Sequence, residues 1–284
     1  MDKKQKMHEL KVLAAKIRLE TLKIIASRGF GHVGGSMSMA DAMAVLYGGI
    51  MRIDPQNPRW EDRDWFVLSK GHGGPVMYAT LGLMGYYPLE SAYTLNHPNT
   101  KFPSHTDRNM TPGVDLTTGS LGQGMSEAVG AALGLKQQGK SSRVFVAVGD
   151  GECDEGQIWE AAQFAAHYHL DNLVCLVDQN KQQLDGPTCE VMSHGKGIGA
   201  KFDAFGWNVT ELQDGNDVTA IYDALKAAET VNGQPTCLIL NTVKGKGATF
   251  AEPTGAHSSQ PTKAQWDEAI RASEAALAAA EAEA

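Results

Sequence analysis

Two stretches of sequence decide the fold of this chain. VFVAVGDGECDEGQIWEA occupies residues 144–161, and NLVCLVDQNKQQLDG occupies residues 172–186. Each stretch begins with a short apolar run rich in valine and leucine, which is typical of a strand buried on both faces of a parallel sheet. Each run leads into a polar loop, and open α/β sheets bind their ligands at such carboxyl ends.

The rest of the chain alternates in the same way. Strands are predicted in DWFVLS (64–69), WNVTEL (207–212) and TCLILNTV (236–243), and helices at about 7–28, 122–138, 157–168, 195–205 and 216–231. Another helix is predicted to open at Ser38, with Asp41 completing a capping box. Residues 87–115 predict a long irregular loop, and residues 264–284 predict a helix that frays at its end. We therefore expect one α/β domain over residues 1–284, with a mostly parallel sheet and helices on both faces.

Composition excludes several classes of protein. The 284 residues are 42% apolar, and 25 Lys+Arg against 33 Asp+Glu give a net charge of −8, which argues against a disordered chain and against a general nucleic-acid binder. The four cysteines lack the spacing of a zinc site or a redox pair. No run is long enough to cross a membrane, and the N-terminus does not resemble a signal peptide, so we expect a soluble, cytoplasmic protein.

Two polar residues at the ends of the deciding strands point to chemistry. Asp150 follows the first strand between two glycines, and Asn180 follows the second strand thirty residues later. Because carboxylate, amide and carbonyl oxygens with water form a hard oxygen shell, this pair predicts a Mg²⁺ or Ca²⁺ site open to phosphate oxygens. Gly149 and Gly151 allow a bulky anion to approach the backbone.

Two glycine motifs suggest nucleotide sites, but each stands in the wrong context. GLKQQGKS (134–141) matches a P-loop letter for letter, yet it closes a predicted helix and precedes a strand, which reverses the order that a P-loop needs. Gly29, Gly31 and Gly34 match a dinucleotide-binding fingerprint, yet they follow a helix instead of a strand. Neither motif is expected to bind a nucleotide.

Four of the nine histidines lie among Gly, Ser and Pro residues, and they are His32, His72, His105 and His257. A single loop histidine is usually a solvated side chain. Several histidines that converge on one site could instead carry protons and hydrogen-bond hydroxyl and carbonyl oxygens, since their pKa lies near working pH.

Further runs stand in an order that resembles one enzyme family. They are GHVGGSMSMADA (31–42), LSKGHGGPVMYA (68–79), PGVDLTTGSLGQGMSEAVGAALG (112–134), DGNDVTAIYDAL (214–225) and NTVKGKGATF (241–250). Together with the Asp150 and Asn180 motif, they resemble the N-terminal half of transketolase, a thiamine-diphosphate enzyme, over essentially the whole chain. The resemblance implies the thiamine-diphosphate-binding fold of the diphosphate-binding type, with thiamine diphosphate and Mg²⁺ or Ca²⁺ as cofactors.

The resemblance also implies roles for single residues. The implied metal ligands are Asp150, Asn180 and the carbonyl of Gln182. The residues implied to contact the cofactor are His72, Gly119, Ser120, Leu121, Gly122, Gly151, Glu155 and Asn180. The histidines implied to line the substrate channel are His32, His72, His105 and His257, although the run HSSQP at 257–261 departs from the family's His-Gly-x-Pro pattern. Glu155 and Glu160 match acidic residues that face a partner subunit in the family.

The resemblance finally implies a divided enzyme. In the family, a glutamate that activates the cofactor belongs to a second, pyrimidine-binding domain, and this chain shows no second α/β set. We expect a subunit that moves a two-carbon ketol unit from a ketose to an aldose, commonly phosphorylated. It would be active only with a separate C-terminal subunit, in a heterotetramer of two copies of each chain. The α-type E1 subunit of a 2-oxo acid dehydrogenase is the alternative, and a P-loop protein is the alternative from another class.

Overall fold

The computed structural model describes residues 2–283, so the first and last residues of the predicted domain lie outside the described residues. Its centre is a five-stranded, fully parallel sheet of order β1-β2-β3-β7-β6. The strands are β1 (Trp65–Leu68), β2 (Val144–Gly149), β3 (Leu173–Asp178), β6 (Asn208–Leu212) and β7 (Thr236–Leu240), with a small antiparallel hairpin of β4 (Gln182–Gln183) and β5 (Gly186–Pro187). The predicted strands and the predicted fold class are confirmed.

The helices lie largely where the apolar periodicity predicted them. They are α1 (Lys3–Arg28), α2 (Gly34–Met37), α3 (Ala40–Val45), α4 (Gly74–Leu83), α5 (Gln123–Gln137), α6 (Gly156–His167), α7 (Thr188–Val191), α8 (Ile198–Ala204), α9 (Val218–Ala228) and α10 (Lys263–Ala282). The first helix begins four residues earlier than predicted, directly after Asp2. The helix predicted at 195–205 begins only at Ile198, because Gly195 and Gly197 adopt positive φ angles that no helix contains.

Alternate residues of each central strand face two separate apolar cores. Phe66, Phe145 and Leu176 face a core that also contains the buried sides of α1, α3, α4 and α9. Val67, Val146 and Cys175 face a second core built with α5, α6 and α8. The sheet is therefore covered on both faces, which explains why its strands are apolar at almost every position.

The predicted helix start at Ser38 is wrong. Residues 34–37 already form α2, the chain turns, and α3 begins at Ala40. The Ser38 hydroxyl donates a hydrogen bond of 2.7 Å to the Asp178 carboxylate instead of capping a helix, and Asp41 pairs with Arg18. The start of α3 is buried and needs no cap from Ser38, because the backbone N–H groups of Ser38 and Met39 already bond to carbonyls of α2. The buried Asp178 carboxylate, in contrast, requires hydrogen-bond donors.

The remaining segments agree with the sequence pattern. Residues 87–115 are irregular apart from one short helical turn, Leu89–Thr94. The C-terminal segment forms α10, which packs against α1 and buries Trp266 and Ala269. Among the described residues, no helix has the length and apolarity that a membrane crossing requires. That the chain forms one domain over 1–284 stays a prediction.

Candidate active site

The carboxyl ends of four neighbouring strands meet at one cavity of about 330 Å³. Lys70 follows β1, Asp150 follows β2, Asn180 follows β3 and Lys244 follows β7, and all four line the cavity. Parallel strands bring their carboxyl ends to the same edge, so residues far apart in sequence converge here. His72, Leu121, Gly151, Glu155, Gln182 and His257 also line it.

Asp150 and Asn180 are brought together by the register of β2 and β3. Both residues are buried, and the Asp150 carboxylate accepts a 2.6 Å hydrogen bond from the backbone N–H of Lys181, next to Asn180. The Asn180 side-chain N–H donates to Asp178 at 2.9 Å, while its amide oxygen accepts from the backbone N–H of Gln182. This pairing fixes which end of the Asn180 amide carries the oxygen.

A buried ion pair forms the floor of the cavity. The Lys70 ammonium donates to the Asp178 carboxylate and, at 2.8 Å, to the carbonyl of Gly35. Ser38 and Thr242 donate further hydrogen bonds to the same carboxylate. Burial alone would raise the pKa of Asp178, but the charge of Lys70 and these donors hold it below its ordinary value. Asp178 is therefore a charged, fully occupied carboxylate that fixes the loop ends around it.

Asp150 lies in the opposite electrostatic situation. Burial and the neighbouring charge of Asp178 raise the pKa of Asp150 to about 7, and the hydrogen bonds from Lys181 and Gly151 only partly oppose this. The carboxylate is thus short of positive charge at neutral pH. A divalent cation beside it would supply that charge.

The 119–122 segment contacts the cavity only in part. Leu121 lines the cavity and is 36% exposed, Gly119 packs beside the ring of His105, and Ser120 is exposed. The backbone N–H of Gly122 is already taken by a 2.9 Å hydrogen bond to Glu152. Gly122 also has a φ of 86°, with the Glu155 side chain at 3.0 Å from the position of a β-carbon, so a larger residue would be strained there.

The four predicted loop histidines form one group. The ring centroids of His32 lie 5.5 Å from His72, 5.8 Å from His105 and 5.4 Å from His257. His72 and His257 are 4.5 Å apart. His72 and His257 also line the cavity, so two of the four rings reach the same space as Asp150 and Asn180.

The histidine group is held in its neutral form. Burial, followed by the charge of Lys70, lowers the pKa of His72 to about 2, and burial with Lys244 lowers the pKa of His257 to about 4. Burial also lowers the pKa values of His32 and His105. Across residues 2–283, no carboxylate hydrogen-bonds or pairs with these four rings. Neutral imidazoles can accept a proton as well as donate one.

Lys70, Asp178 and Lys244 belong to the site, although sequence reasoning did not single them out. The Lys244 ammonium donates a 2.7 Å hydrogen bond to the carbonyl of Gln182, and burial together with Lys70 lowers the pKa of Lys244 to about 8. Lys70 and Lys244 stand within quoted runs, and Asp178 ends the second deciding strand. A charged residue directly at the end of a buried strand was the signal that could have identified them.

Among residues 2–283, no group of three or more His, Cys, Asp and Glu side chains is placed to hold a metal ion. The predicted ligand set is of another kind, since it combines a single carboxylate with an amide oxygen and a backbone carbonyl. Magnesium accepts such sets when phosphate oxygens and water complete the shell.

The P-loop match lies away from this cavity. Residues 134–137 close α5, and β2 begins only at Val144, so the motif faces no helix N-terminus. Lys140 pairs on the surface with Glu61 and Asp62. The structure therefore confirms that this motif lacks the setting of a P-loop.

The chain belongs to the transketolase family and matches the model of the transketolase thiamine diphosphate binding domain over residues 10–277. It is similar to the 6-deoxy-6-sulfo-D-fructose transketolase subunit SqwG of Clostridium sp. (strain MSTE9), with 48% identity over 255 residues, or 89% of this chain and 92% of that protein. It is also similar to one of the apulose-4-phosphate transketolase subunits of Actinobacillus succinogenes, with 39% identity, 86% of this chain and 88% of that protein.

Solved transketolases share the fold. The enzyme from Pichia stipitis in complex with sedoheptulose 7-phosphate has a TM-score of 0.84 and 29% identity, and the match covers 97% of this chain and 44% of that chain. The enzyme from Leishmania mexicana has a TM-score of 0.83 and 29% identity over 96% of this chain and 45% of that chain. This chain thus spans less than half of the solved transketolases and corresponds to their thiamine-diphosphate-binding part. The predicted family and fold are confirmed, and the dehydrogenase subunit is not favoured.

Proposed function

We propose that this chain is the thiamine-diphosphate-binding subunit of a two-chain transketolase. The observation that carries the proposal is the placement of Asp150 and Asn180 at the ends of adjacent parallel strands, on one cavity that also reaches the histidine group. A metal–diphosphate end and a proton-transfer end therefore share one space. The match to the family's binding domain and the relatives named as transketolase subunits support the same conclusion.

The residues present fit Mg²⁺ and the diphosphate of the cofactor. Asp150 lacks a neutralising cation, and Asn180 presents its amide oxygen beside the chain turn at Gln182. A β-carbon on Gly151 would lie 2.7 Å from the Gln183 side chain, so only a glycine keeps this wall open. We assign Asp150, Asn180 and the Gln182 carbonyl as metal ligands. Lys244 now bonds that carbonyl and would have to give it up to the metal.

When bound, thiamine diphosphate supplies an electron sink for breaking and forming a carbon–carbon bond next to a ketone. The chain's own part is to position and to move protons. We assign the neutral rings of His32, His72, His105 and His257 to the hydroxyl and carbonyl oxygens of the sugar. A neutral ring nitrogen would accept the proton of the donor hydroxyl beside the carbon–carbon bond that breaks, which leaves an aldose carbonyl. It would then give that proton to the carbonyl oxygen of the acceptor aldose, which becomes a hydroxyl as the new bond forms. Gly119, Ser120, Leu121, Gly122 and Glu155 are assigned to the cofactor wall.

The proposed substrates are ketoses that carry an anionic group. The two relatives named above act, by their names, on a sulfonated and on a phosphorylated sugar, so both anion classes are candidates. The reaction transfers the two-carbon ketol unit from such a ketose to an aldose. The identity to the sulfonated-sugar subunit is the higher of the two, which makes 6-deoxy-6-sulfo-D-fructose the first donor to test.

We further propose a cytoplasmic heterotetramer. The second chain supplies the pyrimidine-binding domain and its activating glutamate, and two copies of each chain assemble. An exposed groove between α5 and α6, lined by Val129, Leu133, Glu160 and Phe164, supports contact between two copies of this chain. Phe164 is 39% exposed and contacts the ring of Tyr168. Together the two rings form an exposed aromatic surface of the kind that is common at protein–protein contacts.

Activity with and without the partner tests the proposal. The purified chain is mixed with the product of the adjacent reading frame, Mg²⁺ and thiamine diphosphate. Ketol transfer to an aldose phosphate is then measured from 6-deoxy-6-sulfo-D-fructose and from phosphorylated ketoses. We expect activity only in the mixture, and loss of it with Asp150→Ala in this chain. Asp171→Ala, which removes a partly exposed carboxylate paired with Lys136, serves as the matched control and is expected to stay active.

Two outcomes would overturn the proposal. The first is ketol transfer by the isolated chain at the rate of the mixture, which would remove the need for a second chain. The second is a mixture that is inactive with every ketose, or that is equally active with Asp150→Ala. Transfer from phosphorylated but not sulfonated ketoses would decide the substrate and leave the two-chain enzyme in place.

A further inference from the structure

One segment of the chain crosses the metal side of the cavity. We call residues 181–197 the flap. It leaves β3, forms the β4–β5 hairpin and α7, and joins α8 at Ile198. Three of its apolar side chains are exposed, with Leu184 73%, Met192 56% and Val191 41% accessible. A segment with so little buried apolar surface depends on a few specific contacts to stay closed.

Both ends of the flap hold Asp150. At its start, the backbone N–H of Lys181 donates to the Asp150 carboxylate at 2.6 Å. Near its end, the Nε2 atom of His194 lies 3.1 Å from the Asp150 carbonyl oxygen. The position of Asp150 and the closure of the flap are therefore coupled through both its side chain and its backbone.

His194 is turned inward where its neighbours point outward. Its side chain is 10% exposed, whereas Ser193, Gly195 and Lys196 are exposed. Gly195 and Gly197 adopt φ angles of 64° and 96°. These turns point the His194 side chain toward the loop after β2, residues 150–155, which we call the metal loop. The backbone conformation at these two glycines therefore directs the His194 ring toward Asp150.

Lys201 on α8 determines the tautomer of His194. Its ammonium lies 3.1 Å from the Nδ1 atom of His194 and packs over the ring of Trp159 at 4.9 Å. An ammonium can only donate, so Nδ1 must be the acceptor and Nε2 must carry the hydrogen. The Nε2–H then donates to the Asp150 carbonyl.

We propose that His194 is a positioning residue, a latch that closes the flap onto Asp150 and thereby sets the geometry of the metal ligands. The proposal that the flap is latched stands on the described contacts alone, while its effect on cofactor binding rests on the proposed function. The groups that face His194 are Asp150 and Asp154 from the metal loop and Lys201 from α8. The Asp154 carboxylate, 3.5 Å from Nε2, is a more distant second acceptor.

The tautomer is the first measurement. In the chain labelled with ¹⁵N-histidine at pH 7.5, His194 is assigned by the signals that disappear in His194→Ala. We expect a protonated Nε2 and an unprotonated Nδ1, and a loss of this preference in Lys201→Met. A protonated Nδ1 would overturn the latch, because Lys201 would then have no acceptor.

Cleavage of the flap is the second measurement. Trypsin is added to the full chain without cofactor, and cleavage after the exposed Lys181 and Lys196 is followed. A hydrogen bond of this kind lowers the population of the locally open flap by roughly ten-fold. His194→Ala is therefore expected to raise the cleavage rate about ten-fold. His194→Gln, whose amide can also donate to the carbonyl, is expected to recover most of the protection. His167→Ala, at the exposed end of α6, is the control and is expected to match the wild type, and an unchanged rate in His194→Ala would contradict the proposal.

Cofactor affinity is the third measurement and separates the two proposals. With Mg²⁺ present, the Kd for thiamine diphosphate is expected to rise about ten-fold in His194→Ala, with an unchanged Tm of the cofactor-free chain, as is usual for residues that orient metal ligands. If the wild-type chain and its partner bind no cofactor while the first two results hold, the proposed function fails and the latch stands. If affinity is unchanged while wild type binds, the positioning role is refuted.

Discussion

The two ends of the cavity, the metal end around Asp150 and Asp178 and the histidine end around His72 and His257, differ in charge. At the metal end, Asp178 is a charged, buried carboxylate that receives hydrogen bonds from Lys70, Ser38 and Thr242. At the histidine end, four rings lie within 6 Å of a neighbour but donate no hydrogen bond to a carboxylate in the described chain. At the metal end the charge of Asp178 is balanced within the chain, whereas the histidine end consists of neutral rings that are at most partly buried.

The difference shows which half of the chemistry this chain supplies by itself. A diphosphate and a metal need fixed ligands, and the strand ends provide them without help. Proton transfer to a sugar needs a closed, dry site, whereas His105 is exposed and His32, His72 and His257 are only partly buried. The comparison therefore agrees with a second chain that covers the histidines.

Breaking the ion pair of the metal end is expected to have the largest effect. Lys70→Met leaves the Asp178 carboxylate buried without its counter-charge, and such losses destabilise proteins by about 3–5 kcal/mol. Lys136→Met is the matched control, because its pair with Asp171 is partly exposed and is expected to be worth less than about 1 kcal/mol. Urea unfolding of both variants measures the difference. Equal losses would mean that the pair does not organise this end.

Asp150→Asn is expected to change the pH dependence of stability. The folded carboxyl keeps its proton up to about pH 7, whereas the unfolded one loses it near its ordinary pKa of 3.8, so the wild type loses stability as pH rises through this window. Asparagine does not titrate. Without metal, the free energy of unfolding of the variant relative to wild type is expected to improve by about 2–4 kcal/mol from pH 4 to pH 7.5. A constant difference would contradict the raised pKa.

His72→Asn is expected to give the opposite slope. The unfolded ring gains a proton near pH 6.5, whereas the folded ring resists protonation down to about pH 2, so the wild type loses stability as pH falls below 6.5. Between pH 6.5 and pH 4.5, the free energy of unfolding of the variant is therefore expected to fall by about 2 kcal/mol less than that of the wild type. Unfolding at the two pH values measures it. If both variants sloped in the same direction, the contrast between the two ends would be wrong.

Lys140→Ala is expected to have the smallest effect. Its partners Glu61 and Asp62 are 88% and 62% exposed, so the loss of stability is expected to stay below about 0.5 kcal/mol. Thiamine diphosphate binding is expected to be unchanged, since the motif lies away from the cavity. Weaker binding of the cofactor or of ATP in this variant would restore the P-loop hypothesis.

Much of the fold was readable from local patterns. Apolar runs such as those ending at Gly149 and Asp178 predicted buried parallel strands, because they are short, rich in valine and leucine, and alternate with predicted helices. The helix start at Ser38 was wrong for a reason that lies outside its own segment. Its hydroxyl is claimed by Asp178, which is 140 residues away. Long-range polar contacts override local capping rules.

The candidate site was readable only where polar residues end a strand or repeat a family motif. Asp150 and Asn180 were found in this way, and the histidine group was gathered by resemblance. Lys244 and His194 were not found, because their contacts depend on the tertiary structure. Lys244 lies in the segment after β7 and reaches the carbonyl of Gln182, and His194 lies in the flap and reaches the carbonyl of Asp150. No spacing in the sequence indicates that arrangement. The assigned roles of the site residues stay predictions until binding is measured.

The proposed function requires that Asp150 and Asn180 together hold one divalent ion and, through it, the cofactor's diphosphate. Calorimetric titration of thiamine diphosphate into the complex of the two chains, with Mg²⁺ or with EDTA, tests it most directly. We expect binding that requires Mg²⁺ and that is lost in both Asp150→Ala and Asn180→Ala, while each variant still folds by circular dichroism. Binding of equal affinity in EDTA, or in either variant with Mg²⁺, would contradict it.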